Sequence, residues 1–540
     1  MMNAKRMLCT ALLLGILCTA LFPSFSLAAK EETVTLRICN WEEYIDQGGW
    51  DEEETIDLES GDIFGENSLV EDFEAWYEET YGKKVKVEYS TFGTNEDLYN
   101  MLTIGDVYDL VCPSEYMIMK LMAEDRVQPL SEEFFDEADE NNWYIRGVSP
   151  YIRNIFETHD IGGVTWDKCA AGYMWGVTGF LYNPEVVPEE EASTWKLLEN
   201  RDYFRQITMK DNVRDAYFAA VGALKSDKLT EEEFTGREDY VLALQDEMND
   251  VSLETVDAAQ DYLQKIKDNL YSFETDSGKA DMITGKVVAN YQWSGDAVYA
   301  MDQAEEDDYF LNFAVPRECT NIYFDGWIML KSGISEDPAK QQAAEAFINF
   351  VSRPDNVVRN MYYIGYTSAV SGGEDGRIFE YLDWTYGAEE EVEEEAEIAE
   401  ESGENVESEP AEETEEQPET EEAEVEETKE DEEPTVEYDV SYFFLGMGEH
   451  SDDYVLTIPE SQLSRQLSAQ YPSEEVIRRA SIMVYFDEEQ SELINRMWIR
   501  IRCFNIHSVP VWVWIALVVL IAGSVIFGLR RKAAKERLYS

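Results

Sequence analysis

Between positions 34 and 113 the spacing of apolar residues switches back and forth between two periods, and this switching narrows the fold more than any other feature. Val34-Thr35-Leu36-Arg37-Ile38-Cys39-Asn40 alternates, as a strand with one face turned inward does. Residues 69–81 carry apolar side chains at helical spacing and meet a stop at Gly82. Residues 84–89 alternate again, 95–104 return to helical spacing, and 108–112 form a short apolar strand ended by Pro113. The acid- and glycine-rich stretch 46–67 reads as a loop. Parallel strands need a crossover connection, and helices of this length supply it, so the pattern predicts β-α-β units. Strand-like runs at 172–183, 286–293 and 322–330 and amphipathic helices at 257–269 and 339–352 continue it. The predicted class is α/β, with mostly parallel sheets flanked by helices. In such sheets ligands bind beyond the carboxyl ends of the strands. Those ends here carry Asn40-Trp41-Glu42-Glu43-Tyr44 and Pro113-Ser114-Glu115-Tyr116, which mix rings with carboxylates.

The two ends predict the compartment. Lys5 and Arg6 precede an apolar run from Met7 to Phe22, and Ser26-Leu27-Ala28 supplies a small-x-small cleavage pattern. Residues 1–28 therefore read as a signal peptide, with the mature chain starting at Ala29. Cys18 follows Gly15-Ile16-Leu17, which lacks the small residue that lipoprotein processing needs. Residues 509–529 form an uncharged apolar stretch long enough to cross roughly 30 Å of hydrocarbon as a helix. Trp512 and Trp514 suit an interfacial belt, and Arg530, Arg531, Lys532, Lys535 and Arg537 predict a cytoplasmic basic tail at 530–540. The expectation is a single-pass membrane protein whose folded part lies outside the cytoplasm.

Acidic side chains number 114 against 42 basic ones, for a net charge of −72. A surface of that sign cannot neutralise phosphates, so nucleic acid is excluded as a partner. With three histidines (His159, His450, His507) there is no basis for a multi-histidine metal site, and no cofactor motif is present. Cys39, Cys112, Cys169, Cys319 and Cys503 remain after the signal, an odd number that excludes a complete disulfide framework; Cys39 and Cys112 lie in apolar strands and read as buried thiols. Residues 389–433 hold 26 acids and one base, Lys429. Self-repulsion and the lack of apolar residues predict a disordered insertion there. Foldable sequence resumes after it at 438–445, 458–471, 474–486 and 492–501.

Five motifs then stand in order: Asn40-Trp41-Glu42-Glu43-Tyr44, Tyr108-Asp109-Leu110-Val111-Cys112-Pro113-Ser114-Glu115-Tyr116, Trp293-Ser294-Gly295-Asp296, Tyr323-Phe324-Asp325 and Ile364-Gly365-Tyr366. Together they resemble the ligand-cleft motifs of the spermidine/putrescine-binding proteins of ABC importers, over roughly 34–369 and more weakly over 463–486. The resemblance implies a two-lobed periplasmic-binding-protein fold of the second type, closing like a hinge. Lobe one would comprise 34–176 and 324–372, and lobe two 177–323 and 373–502. It also implies a separately encoded permease and ATPase as partners, no cofactor and no catalysis.

A polyamine is a methylene chain carrying ammonium groups, so its site needs carboxylates to replace hydration and apolar walls along the chain. Ring faces serve both ends, attracting a cation by roughly 0.5–2 kcal/mol. Burying about four methylenes contributes ~3 kcal/mol, and each charge-assisted hydrogen bond ~1.5–3 kcal/mol. These terms reach the ~8 kcal/mol of micromolar binding after association costs of ~4 kcal/mol or more. By the resemblance, Trp41, Tyr44, Tyr116, Trp293, Tyr323 and Tyr366 form the aromatic box. Glu43, Asp296 and Asp325 receive ammonium groups and Ser114 adds a polar contact. Met209-Lys210-Asp211-Asn212-Val213-Arg214-Asp215 resembles the acidic turn of the second lobe and places Asp215 in the cleft. Asn212 stands where spermidine-type members carry a carboxylate, and Asp296 matches the putrescine-type pattern, which favours putrescine over spermidine. Two other classes compete. An enzyme lacks support, since neither G-x-S-x-G nor a P-loop occurs. A membrane-tethered sensor for another cationic ligand shares the same fold, and an amino-acid-like ligand would require Arg214 to face its carboxylate.

Overall fold

The structure, a computed structural model, describes residues 33–51, 54–388, 433–503 and Trp514. The expected signal peptide, the acidic tract apart from Glu433, the basic tail and, except for Trp514, the expected membrane span lie outside these residues. Among the described residues no helix is long and apolar enough to cross a membrane.

The first unit forms where the periods predict it. Strand Val34–Trp41 leads through the loop to helix Leu69–Tyr81. Ser68 and Glu71 form a capping box at its start, and Gly82, at φ 62, ends it in the left-handed conformation. Strand Val85–Phe92 lies parallel to Val34–Trp41, helix Asn95–Ile104 follows, and Leu110–Val111 pairs parallel on the other side. The second unit is built the same way, with Ala289–Trp293, Ile207–Lys210 and Ser272–Glu274 side by side and parallel.

Two long strands, Ala170–Tyr182 and Thr320–Leu330, run antiparallel between the units and are buried along their whole length. Across the sheet the order is 85–92, 34–41, 110–111, 320–330, 170–182, 289–293, 207–210 and 272–274. Each half is thus parallel, and the halves share the antiparallel pair, giving a two-lobed α/β architecture. Because the strands of each half point their carboxyl ends toward the middle, both lobes present those ends to one cleft.

The stretch after position 373 runs over both halves. Helix Arg377–Tyr386 packs against helix Pro354–Ile364, and helix Ser441–Leu445 against helix Pro150–Thr158. Phe443 stacks on Trp175 at 5.8 Å. Helix Gln466–Gln470 then packs on helix Ser294–Glu305, and helix Glu488–Arg502 on helix Leu253–Ile266. Ala388 donates its N–H to Thr457, and strand Thr435–Asp439 pairs antiparallel with Val455–Pro459, so both flanks of the acidic tract are bonded to one hairpin strand. Cys39, Cys112, Cys169 and Cys319 are buried free thiols, and Cys503 is an exposed one.

Candidate functional site

A cavity of about 860 Å³ opens at the strand ends, and its lining includes all eleven residues singled out from the sequence: Trp41, Glu43, Tyr44, Ser114, Tyr116, Asp215, Trp293, Asp296, Tyr323, Asp325 and Tyr366. Their positions follow from the fold. Trp41 ends its strand, Ser114 follows another, Trp293 ends a third, and Asp215 lies in the first turn of helix Val213–Leu224. Tyr323 and Asp325 are two residues apart on the long strand and so face the same side.

Asp325 is the floor of the site. Its Oδ2 accepts from the Tyr44 hydroxyl and its Oδ1 from the Ser114 hydroxyl, each at 2.7 Å. It is 4% exposed, and burial pushes its carboxyl up to about 6 despite these two hydrogen bonds. Both donors are neutral, so the carboxylate has no cationic partner among the described residues. Ser114 stands at the N-cap of helix Glu115–Ala123, where a serine ordinarily caps the backbone; here it makes no cap bond and gives its hydroxyl to Asp325. A bulge shapes the same spot: Asp325 lies opposite Met174 and Gly326 opposite Gly172, leaving Tyr173 as the extra residue. The Tyr173 hydroxyl donates to the Tyr44 carbonyl at 2.7 Å and accepts from Asn360 at 2.8 Å, which fixes the Tyr44 loop.

The rings meet in two groups. Trp41 and Trp293, from opposite lobes, approach edge to face at 6.0 Å, and Tyr44 meets Tyr366 edge to face at 4.7 Å. Glycines make this packing feasible. A Cβ on Gly295 would sit 2.3 Å from the Tyr366 ring, and one on Gly176 would sit 2.4 Å from the Tyr323 hydroxyl.

The second lobe supplies two more buried acids in different states. Burial pushes Asp215 up to about 7, although Lys210 pulls it down. Asp296 is also buried, but Lys210 and Lys279 outweigh that and hold its carboxyl below the usual range. Lys210 Nζ lies 3.1 Å from Asp296 Oδ2, and the Tyr366 hydroxyl donates to Oδ1 at 2.9 Å. Asn212 caps helix Val213–Leu224, accepting from the N–H groups of Arg214 and Asp215, so its amide oxygen is committed to the backbone.

Besides Asp296, whose carboxylate already faces Lys210 and Lys279, two residues sit differently from the ammonium-receiving and ring-wall arrangement expected from the sequence. Glu43, at φ 52, holds a largely exposed carboxylate 3.2 Å from Lys279. Tyr116 donates to Glu96 at 3.2 Å, and the Arg214 guanidinium covers its ring at 4.4 Å. Arg214 is in turn packed on Phe486 at 3.9 Å and donates to the Val484 carbonyl at 2.7 Å.

Sequence reasoning did not single out Lys210, Lys279, Glu96 or Glu115. Glu115 accepts from the Phe324 N–H at 3.1 Å and is pushed up to about 8 by burial. Lys210 had a usable signal: a lysine directly after Ile207-Thr208-Met209, at the end of an apolar run. Chemically, the cavity offers negative charge and ring faces.

Fold and cavity together define a solute-binding protein. A family model of bacterial extracellular solute-binding proteins matches residues 68–376, and the chain belongs to that family. It is 25% identical over 357 residues to the putrescine-binding periplasmic protein PotF of Escherichia coli (strain K12), covering 64% of this chain and 80% of the relative. It is 24% identical over 350 residues to the spermidine/putrescine-binding periplasmic protein of Salmonella typhimurium, covering 64% and 81%. Among solved structures, a candidate spermidine/putrescine ABC transporter protein from Listeria monocytogenes shares the fold, with a TM-score of 0.53 at 18% identity, covering 87% of this chain and 99% of that one.

Proposed function

We propose that this protein captures a short aliphatic diamine, putrescine in preference to spermidine, outside the cytoplasm and delivers it to the permease and ATPase of an ABC importer. The observation that carries this is Asp325, a buried carboxylate held by two neutral hydroxyls at the floor of a ring-lined cavity. An ammonium there completes the charge pair, and Asp215 takes the second ammonium. Trp41, Trp293, Tyr44, Tyr323 and Tyr366 flank the methylenes. The names of the relatives, which speak of putrescine and spermidine, support the same class of ligand. The fixing of Arg214 between two rings and a carbonyl counts against an amino-acid-like ligand, because its guanidinium is already engaged.

In this proposal lobe one is built on 34–176 and 324–372 and lobe two on 177–323; of 373–502, expected in lobe two, the helices at 377–386 and 441–445 pack on lobe one and those at 466–470 and 488–502 on lobe two. Residues 1–28 are removed on export and 509–529 tether the protein to the membrane, in place of a lipid anchor. Titration of tryptophan fluorescence with putrescine, spermidine, spermine and sodium chloride tests the ligand. A saturable response to amines, abolished by Asp325→Ala, is expected. Equal weak responses to amines and salt, untouched by the substitution, refute the proposal.

A further inference from the structure

Lys210 is a buried lysine that the binding scheme above does not use. It ends strand Ile207–Lys210, pairs in register with Glu274 and is 1% exposed. Its ammonium donates to the Thr275 carbonyl at 2.8 Å and to Asp296 Oδ2 at 3.1 Å, and lies 4.0 Å from the centre of the Trp293 ring. A carboxylate, a carbonyl and a tryptophan face are the three kinds of group that desolvate and hold an alkylammonium. The protein's own side chain therefore makes a complete ammonium site directly behind Asp296 and Trp293, both of which line the cavity. Lys279, 3.7 Å from Asp296 and bonded also to Asp276 and Glu43, adds a second positive charge there.

The carboxylates of the cavity wall are thus not equivalent. Asp325 and Asp215 make no ion pair among the described residues, whereas Asp296 is neutralised from within. A diamine needs two acceptors and finds them. A triamine brings a third charge, and the acceptor beside Trp293, Asp296, is occupied by a tethered ammonium that also repels the newcomer.

We propose that Lys210 is a specificity-determining residue: a resident ammonium on Asp296 and Trp293 that restricts the site to two-charge amines and rejects triamines. The inference rests on the amine-binding function proposed above and deepens it. It also changes the role of Asp296, which becomes the seat of Lys210 instead of an acceptor for ligand.

Isothermal titration calorimetry of the purified full-length protein with putrescine and spermidine tests this. The wild type binds putrescine at least about tenfold tighter than spermidine. Lys210→Met keeps the length and packing of the side chain and removes its charge; Lys279 still faces Asp296, so the carboxylate keeps a partner. This variant gains at least about tenfold in spermidine affinity relative to putrescine, and adding Asp296→Asn to it removes the gain. A wild type that prefers spermidine, or a Lys210→Met variant with an unchanged ratio, overturns the proposal; the first of these needs no variant to fold. If the wild type binds neither amine, the proposed function itself fails, an outcome distinct from both.

Discussion

Asp325→Asn separates binding from stability at one atom pair. The substitution keeps the shape of the side chain and its capacity to bond Ser114 and Tyr44, but removes the charge an ammonium requires. Removing one partner of a buried charged hydrogen bond costs ~2–4 kcal/mol of binding, which is about 30- to 1,000-fold in Kd. Stability moves the other way. The carboxyl rises from 3.8 to about 6 on folding because burial disfavours its charge. Between those values the folded state binds more protons than the unfolded one, so stability falls as pH rises through that window. The difference amounts to ~3 kcal/mol once the pH is above both values. Asparagine does not ionise and escapes this cost. At pH 8 the variant should therefore melt no lower than the wild type without ligand, while its calorimetric putrescine affinity collapses. Wild-type affinity within threefold, or a clear loss of thermal stability at pH 8 together with retained binding, refutes the reasoning.

Because Asp325 titrates at about 6 and Asp215 at about 7 without ligand, a dication that favours their charged forms should release protons on binding; calorimetry at pH 6.5 in buffers of different ionisation heat should show net release, and affinity should rise from pH 5 to 8. Gly295→Ala puts a methyl into the Tyr366 ring, so overpacking of ~1–3 kcal/mol should appear in denaturant melts together with weakened putrescine binding; wild-type behaviour in both would contradict the packing described. Arg359 bonds Asp46 and the Asn67 carbonyl and lies 2.7 Å from Asp72, holding the loop after Tyr44. Arg359→Met strands the buried Asp46 carboxylate and should cost ~3–5 kcal/mol of unfolding free energy, measured by urea titration.

Some of this molecule is legible in its residues because the signals are local. The helices at 69–81 and 95–104 begin and end where the sequence places them, since Ser68, Glu71, Gly82, Thr94 and Gly105 cap them with their own chemistry. Strands Ile207–Lys210 and Ser272–Glu274 are too short to display a period, whereas Ala170–Tyr182, buried on both faces, is readable at 172–183 without any alternation. The pairing of the two central strands with each other leaves no local trace at all. The cavity residues were readable as ordered motifs, yet their pairing was not. Lys210 and Asp296 are 86 positions apart, and Glu43 meets Lys279 across the cleft from 236 positions away. Which acid is free and which is already matched depends on how two lobes come together, and no window of sequence contains both partners.

The most direct measurement is a crystal structure of the protein soaked or grown with putrescine. The account predicts an extended diamine lying against the Trp41 and Trp293 rings, one nitrogen within hydrogen-bonding distance of Asp325 and the other of Asp215. An empty cavity at saturating putrescine, or the amine bound at another surface, would contradict it.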